Sequence, residues 1–422
     1  MTGDEGRVPK VLFIMTRWPF PAGDGRRRLL RSYLRLLQRM DFDVRVVLNG
    51  VVEYDHKSVS ADLQVVAARD PLYMRPLGMA RCLMKGLPLQ CAGSYHYAVQ
   101  HAVNGMVKTW KPDFVVCDMV RTTPYASTRR RKYRTIANLD DMLSRRYSQQ
   151  AKLSSVGEYW SGRFGWIDRV PLANWLLRFL FLAEGNMLRR YELRIAHTFD
   201  VVTLVSPKEA NLLATAASTR NVLVWPMDID AIRRICDSRE GSHDSPVTVV
   251  FLGRLDVPHN VAAVLFLLRE IWPKILAEMP TLQLNVVGEA PVAPVLRAVS
   301  ATPSAMLLGW VEHLAGVLNS NAICVAPLLF GSGIKTKVLE GMAYGAATVV
   351  TSVAAEGLEV TNMENVIIAD DAVSFAEAVV RLARDANLRL AISAGGRLFA
   401  DAMTRRQDPQ SQFARAFSTE EL

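Results

Sequence analysis

The sequence predicts an α/β chain built from two doubly wound, Rossmann-like domains. Three observations carry this. Short, continuous apolar runs recur along the chain, the pattern of parallel strands buried on both faces. Turn-rich loops and helical stretches follow these runs, which is the grammar of right-handed crossovers between parallel strands. That grammar restarts after a polar stretch near the middle.

Residues 11–15 (VLFIM) form the first expected strand. A loop with Pro19, Pro21, Gly23 and Gly25 follows. A helix then begins near Arg26 and carries Leu29, Leu30, Tyr33, Leu34 and Leu37 on one face. Residues 44–48 are the next strand, and 114–117, 135–137 and 201–205 read as later strands of the same sheet. In the second half, 247–252 is a strand ending in Gly253-Arg254, 261–277 a helix despite Pro273, and 282–287 a strand ending at Gly288. Residues 306–308 lead into Gly309-Trp310. A strand at 323–326 is followed by Gly331-Ser332-Gly333 and a helix over about 335–344, and 348–351 and 366–368 complete the sheet.

The polar stretch around 225–246 separates the halves. The expected domains are 1–225 and 226–405, with 406–422 a tail that packs back on the first. Two such domains leave a cleft beyond the carboxyl ends of their strands, where ligands of doubly wound sheets bind. The section 149–194 does not alternate. Its stretch 174–182 (NWLLRFLFL) is apolar almost all round, and is either a buried helix or an interfacial segment that touches lipid.

Composition narrows the function classes. Half the residues of this 422-residue chain are apolar and 22% are charged, which excludes a disordered or fibrous protein. The net charge of +9 favours anionic partners, among them phosphates and an anionic membrane face. No helix-turn-helix, zinc or RNA-binding signature supports nucleic acid. Five scattered cysteines show no ligand spacing, so no metal centre is expected and a reducing compartment is. The polar start and the lack of an uncharged apolar run of about 18–20 residues argue against a secretory signal or a spanning helix. The expected location is cytoplasmic, free or peripheral on the inner face of a membrane.

The loop Gly331-Ser332-Gly333 opens a helix at Ile334 or Lys335. Unsatisfied N–H groups and the helix dipole make such a start a diphosphate site. Lys335 and Lys337 add full charges, and Glu340, one to two turns further in, could accept hydrogen bonds from a ribose diol. Arg254 follows a buried strand, and its guanidinium fork suits a phosphate; a surface salt bridge is the alternative. On the first domain, Asp118 and Arg121 follow one strand, and Asp140 and Asp141 another. Each carboxylate could bind an acceptor hydroxyl or cap the next helix. Gly23-Asp24-Gly25 lets backbone approach a ligand closely. Basic runs at Arg26–Arg28, Arg129–Arg134, Arg145-Arg146 and Arg189-Arg190 form either a solvated face or a membrane-facing one.

The ordered set VLFIMTRWPFPAGDGRRR, SPKEANLL, FLGRLDVPHNVAAVLFL, NVVGEAP, LGWVEHLAGVLNSNAICVAPL and GSGIKTKVLEGMAYGAATVVTS resembles the large retaining glycosyltransferase family usually numbered four, of GT-B fold. Two departures stand out. Ser332 occupies the place of the first of two glutamates, the second being Glu340, which matches a subgroup with a Gly-Ser-Gly loop. His259 and Asn260 lie where a phosphate-binding lysine is common, so Lys335 or Lys337 would take over its charge.

The resemblance implies a nucleotide-diphosphate sugar donor, retention of configuration, and no metal or other cofactor. Glu340 would hold the ribose. Arg254 and Lys335 would hold the phosphates with the Gly333 and Ile334 amides. Trp310 and Val311 would flank the base, and Gly25 would close on the diphosphate. Read from their places after strands of the first domain rather than from the resemblance, Asp118 would join Arg254 and Lys335 in the chemistry, and Arg121, Asp140 and Asp141 would meet the acceptor: a glycan, glycolipid or protein. Rival readings are a sugar-nucleotide epimerase or hydrolase of the same fold, and a non-catalytic nucleotide-sugar-binding module.

Overall fold

The computed structural model describes residues 7–20, 25–50, 64–126, 131–153, 170–227, 232, 234–236, 246–406 and 408–418. Gly23, Asp24, Arg129 and Arg130, singled out above, lie outside the described residues. The chain divides into two compact units. The first comprises Met1–Arg145, Ala183–Asp228 and Asp408–Leu422, and the second Arg146–Leu182 and Ile229–Gln407. Residues 146–182 thus group with the second unit.

The first unit runs β1 (Lys10–Met15), α1 (Gly25–Arg39), β2 (Asp43–Asn49), β3 (Gln64–Ala68), α2 (Arg75–Met84), α3 (Leu89–Ser94), α4 (Tyr97–Thr109), β4 (Phe114–Asp118), β5 (Arg134–Asp140), the start of α5 (Leu143–Gln150), the later part of α6 (Pro171–Thr198), β6 (Val201–Leu204), α7 (Pro207–Ala217) and β7 (Val222–Val224). Its parallel sheet has the order β3-β2-β1-β4-β5-β6-β7. Val11–Met15 are wholly buried, as are Phe114–Asp118, because helices cover both faces of such a sheet. Two short strands have no counterpart in the expectation. β3 is an edge strand of half-exposed residues, and β7 is three residues long. Their apolar runs, 65–68 and Val222–Val224, are short.

Buried carboxylates on α6 and α7 cap other helices of this unit. Glu184 accepts from the Leu89 and Gln90 N–H groups at the start of α3, both at 2.9 Å. Glu192 accepts from Ser144 N–H (3.1 Å) and Oγ (2.5 Å), and Glu209 from Met142 N–H (3.2 Å), at the start of α5. Burial pushes the Glu192 carboxyl up to about 7 although its bonds to Ser144 oppose this. Residues 408–418 also belong to this unit. Phe413 packs 4.4 Å from the ring of Trp225 and 5.3 Å from that of Tyr33, and Phe417 lies 5.1 Å from Phe42.

The second unit holds β8 (Thr248–Leu252), α8 (Pro258–Phe266), a π-helical turn (Leu267–Ile271), α9 (Trp272–Glu278), β9 (Gln283–Val287), α10 (Ala293–Ser300), β10 (Ala305–Gly309), β11 (Ala322–Ala326), α11 (Thr336–Ala343), β12 (Ala347–Val350), α12 (Ser352–Ala355), β13 (Ile367–Ile368), α13 (Ala372–Arg384) and α14 (Ala386–Arg406). Its parallel sheet has the order β10-β9-β8-β11-β12-β13. The π turn reconciles the long helical pattern with Pro273. Proline lacks an N–H and crowds the preceding turn, and the widened turn just before it carries the Trp272 N–H to Leu267 O.

The exposed segment of α6 corrects the buried-helix alternative for 174–182. Leu177 and Phe181 pack on Ala151 with Tyr147 and Leu153. Leu172, Trp175, Leu176, Phe179 and Leu180 face solvent at helical spacing. Among the described residues no helix is long and apolar enough to cross a membrane.

Candidate active site

Arg254 follows β8, and Lys335, Lys337 and Glu340 follow its neighbour β11. β8 and β11 pair directly, Phe251 opposite Val325. β8 exits through Gly253, and its neighbour β9 exits through Gly288. A Cβ at Gly288 would lie 1.9 Å from the Gly253 carbonyl oxygen, so only glycine allows these two backbones to approach so closely.

Arg254 follows directly. Its Nε and Nη2 donate to Asp256 Oδ1 and Oδ2 (3.0 and 2.7 Å), and Nη1 donates to Glu289 Oε1 (2.7 Å). The ordered fork that the sequence offered to phosphate is thus held by two carboxylates, both substantially exposed.

α11 begins after the Gly-Ser-Gly loop. Lys335 is its cap residue, and no side chain caps the helix, leaving a helix start of the kind anions favour. Lys335 is buried and donates to Gly333 O at 2.8 Å. Lys337, further along, is half-buried. Its ammonium lies 5.2 Å from the Phe251 ring centroid and donates to Asn260 Oδ1, while Asn260 Nδ2 donates to Arg254 O at 2.9 Å. Burial draws the Lys337 ammonium down to about 7, and Lys335 adds to the effect. Burial and then Lys337 likewise hold His259 well below its ordinary value, so this histidine is neutral. Glu340 is buried on α11 one turn beyond Lys337.

The Gly-Ser-Gly loop is tied to α5. Arg146 Nε donates to Ser332 Oγ (3.0 Å), and the Gly331 N–H donates to Gln149 Oε1 (2.9 Å). Neither Arg146 nor Gln149 was legible as a site residue, for a basic pair on a polar helix gives no sign of its partner. Ile334 is half-buried between Gly333 and Lys335. Trp310 follows β10 and is 57% exposed, whereas Val311 packs on the cluster containing Val250 and Leu252.

The first unit has its own polar cluster at its strand ends. Gly25 is the first residue of α1, and Arg26 follows it. Arg26 forms ion pairs with Asp118 and, at 2.6 Å, with Asp140. Burial alone would weaken this guanidinium's hold on its proton, but the two carboxylates outweigh it and raise its pKa. Burial raises the Asp118 carboxyl, with Arg26 and Asn138 opposing; Asn138 Nδ2 donates to it at 3.1 Å. Asp118 is completely enclosed, whereas the Asp140 side chain is 23% exposed. Asp140 sits at φ 69°, a left-handed backbone that bends the chain as β5 ends. Asp141 is buried beside it. Arg121 stands apart, donating to Gln90 Oε1 at 2.8 Å. Glu209 and Glu192 bond the Met142 and Ser144 N–H groups where α5 opens.

Among the described residues no group of three or more His, Cys, Asp or Glu is placed to hold a metal ion.

Two Rossmann-like parallel sheets with phosphate-suited residues at the strand ends of the second define a protein of GT-B fold. Residues 246–385 match the family Glycosyl transferases group 1. A Klebsiella pneumoniae protein described as an uncharacterized 44.6 kDa protein in the cps region is 22% identical over 391 residues, covering 90% of this chain and 92% of that one. Among solved structures, a sucrose-phosphate synthase from Thermosynechococcus elongatus superposes with a TM-score of 0.67 at 14% identity, over 97% of this chain and 98% of that one. The Anabaena protein HepE in complex with UDP-glucose gives a TM-score of 0.63 at 12% identity, over 97% and 100% of the two chains.

Proposed function

We propose that this protein transfers a sugar from a nucleotide-diphosphate donor to an acceptor hydroxyl with retention of configuration, in the synthesis of a polysaccharide, glycolipid or glycoconjugate. One observation supports the reading: Lys335, Lys337 and Glu340 share the first turns of α11, and Asn260 bonds both Lys337 and the backbone oxygen of Arg254, inside the segment that matches Glycosyl transferases group 1. The HepE complex with UDP-glucose, of the same fold, supports the donor class. The relative from a cps region supports an acceptor on the route to a surface glycan.

In this reading Lys335, Lys337 and the first amides of α11 meet the diphosphate, Glu340 binds the ribose, and Trp310 and Val311 flank the base. Arg254 exchanges carboxylates for phosphate oxygens. Charge builds on the leaving diphosphate in the transition state, and fixed cations there lower the barrier. The diphosphate itself takes the acceptor proton from the same face, so neither a metal nor another cofactor enters. On the first unit, Gly25 allows close backbone approach. Asp118, wholly enclosed, is a positioning residue for Arg26, while Asp140, Asp141 and Arg121 bind the acceptor.

The exposed apolar stripe of α6, with Trp175 and Phe179 stacked at 5.9 Å and Arg189-Arg190 further along, supports a cytoplasmic enzyme lying peripherally on an anionic membrane face.

Thermal shift across nucleotide sugars, followed by proton NMR of the anomeric linkage formed, tests the chemistry. A retained anomer with activity unchanged in excess EDTA is expected. An inverted anomer, hydrolysis of the donor alone, or a reversible demand for magnesium or manganese would overturn it.

A further inference from the structure

A cavity of about 230 Å³ opens in the first unit, and none of its lining residues belongs to the site described above. Arg81, Lys85 and Arg194 line it with Tyr95, Gln100 and Tyr191, and it has no acidic lining residue. None of the three cations has a carboxylate partner among the described residues. Aromatic faces hold two of them. The Arg81 guanidinium lies 5.9 Å from the Tyr95 centroid and 5.5 Å from that of Tyr97, and Arg194 lies 5.9 Å from Tyr191. A ring face orients a cation without neutralising it. Three positive charges around an acid-free cavity select an anion, and forked guanidinium groups favour a phosphate ester. The cavity is smaller than the roughly 300–1,000 Å³ typical of sites for larger ligands, so it suits a headgroup.

The surroundings say what the phosphate is attached to. Arg81 is on α2 and Lys85 directly follows it, and the same helix turns apolar side chains to solvent: Leu77, Leu83 and Met84, the last 83% exposed. Leu72 and Tyr73, just before α2, are exposed as well. Apolar side chains in water are costly unless something covers them. Apolar groups interspersed with cations beside a phosphate-sized cavity match the boundary layer of an anionic bilayer, where acyl chains meet charged headgroups.

We propose that this cavity binds the phosphate of an anionic lipid, seating α2 in the membrane surface. The inference rests on the membrane part of the proposed function and is independent of its sugar chemistry.

The test is sedimentation with phosphatidylcholine vesicles, with and without phosphatidylglycerol. The full chain is compared with Arg81→Gln/Lys85→Gln, Leu77→Ser/Met84→Ser and, for the α6 face, Trp175→Ser/Phe179→Ser. All these positions are exposed, and melting temperatures equal to wild type confirm folding. Wild type should pellet with the anionic vesicles. Each charge removed should weaken this about fivefold, and the double variant about 25-fold, from the ~1 kcal/mol that each basic residue contributes near such a surface. The serine pair on α2 should weaken it as well. Soluble glycerol 1-phosphate should compete with the vesicles for wild type and not for the Arg81/Lys85 variant. Unchanged vesicle binding in that variant, with loss only in the α6 variant, would overturn the cavity while leaving membrane association intact. Competition-proof binding, or glycerol phosphate bound in the cavity without vesicle binding, would overturn the lipid assignment.

Discussion

The ammonium of Lys337 donates to the side-chain oxygen of Asn260, joining the start of α11 to the first turns of α8. A lysine from one helix therefore serves the region where the family resemblance leads one to look for a lysine on the other. The two choices exclude each other. A second ammonium at position 259 would feel the charge of Lys337, and like charges close together are costly. The neutral His259 removes that conflict.

The first prediction follows from Lys337. With its ammonium at about 7 rather than the ordinary 10.5, this side chain is largely neutral in the free protein at mildly alkaline pH. A bound diphosphate favours the charged form, so binding should take up close to one proton there. Calorimetry in buffers of different ionisation enthalpy measures this. The sign for stability is also fixed. The unfolded chain binds this proton up to about pH 10 and the folded one only to about 7, so stability rises with pH between them. Lys337→Met should flatten that slope, melt higher than wild type at slightly acid pH, and bind the diphosphate more weakly.

Arg254 is expected to act on turnover. Arg254→Ala should lower kcat on the order of 10²–10³-fold, by analogy with loss of one transition-state donor. Arg254→Lys should recover only part, since a point charge cannot replace a fork. The pairs with Asp256 and Glu289 are partly exposed, so the melting temperature should scarcely move. A normal kcat with a lowered melting temperature would assign Arg254 to structure alone.

Glu340→Ala should weaken the nucleotide diphosphate by roughly 1.5–3 kcal/mol, the range for a hydrogen bond to a charged group. Titration calorimetry against wild type decides it. Equal affinities would remove the ribose role.

Arg26→Met tests the cluster of the first unit. It leaves Asp118 buried without its cation, which typically costs about 3–5 kcal/mol. The Asp118 carboxyl, already raised, would rise further. A carboxyl raised by folding stabilises only while protonated, so the deficit should grow as pH climbs through the carboxylate range. Urea unfolding of both proteins at acid and neutral pH measures that growth.

The fold was legible where sequence and burial coincide. The runs at 11–15 and 247–252 are buried on both faces, so their apolar character is continuous. β3 and β7 escaped because their apolar runs are short and, at the two edges of the sheet, only partly buried. The grouping of the glycine loop, Lys335, Lys337 and Glu340 was legible because they lie within one short stretch. The Arg26 cluster was not, because its members lie far apart in sequence. Arg26 itself stands in an arginine run whose other members carry the same charge on the helix. The stretch 174–182 reads as all-round apolar, yet Leu177 and Phe181 alone find buried neighbours.

The aromatic packing of Phe413 and Phe417 against Tyr33, Trp225 and Phe42 has a consequence for biosynthesis. A ribosome delivers residues 229–407 before these two phenylalanines, so the second unit is complete while the first still lacks part of its interior. The unit begun first is therefore the one finished last. Until residue 417 emerges, Trp225 keeps its Tyr33 neighbour but lacks both phenylalanine rings, which is the interval in which a chaperone would find it.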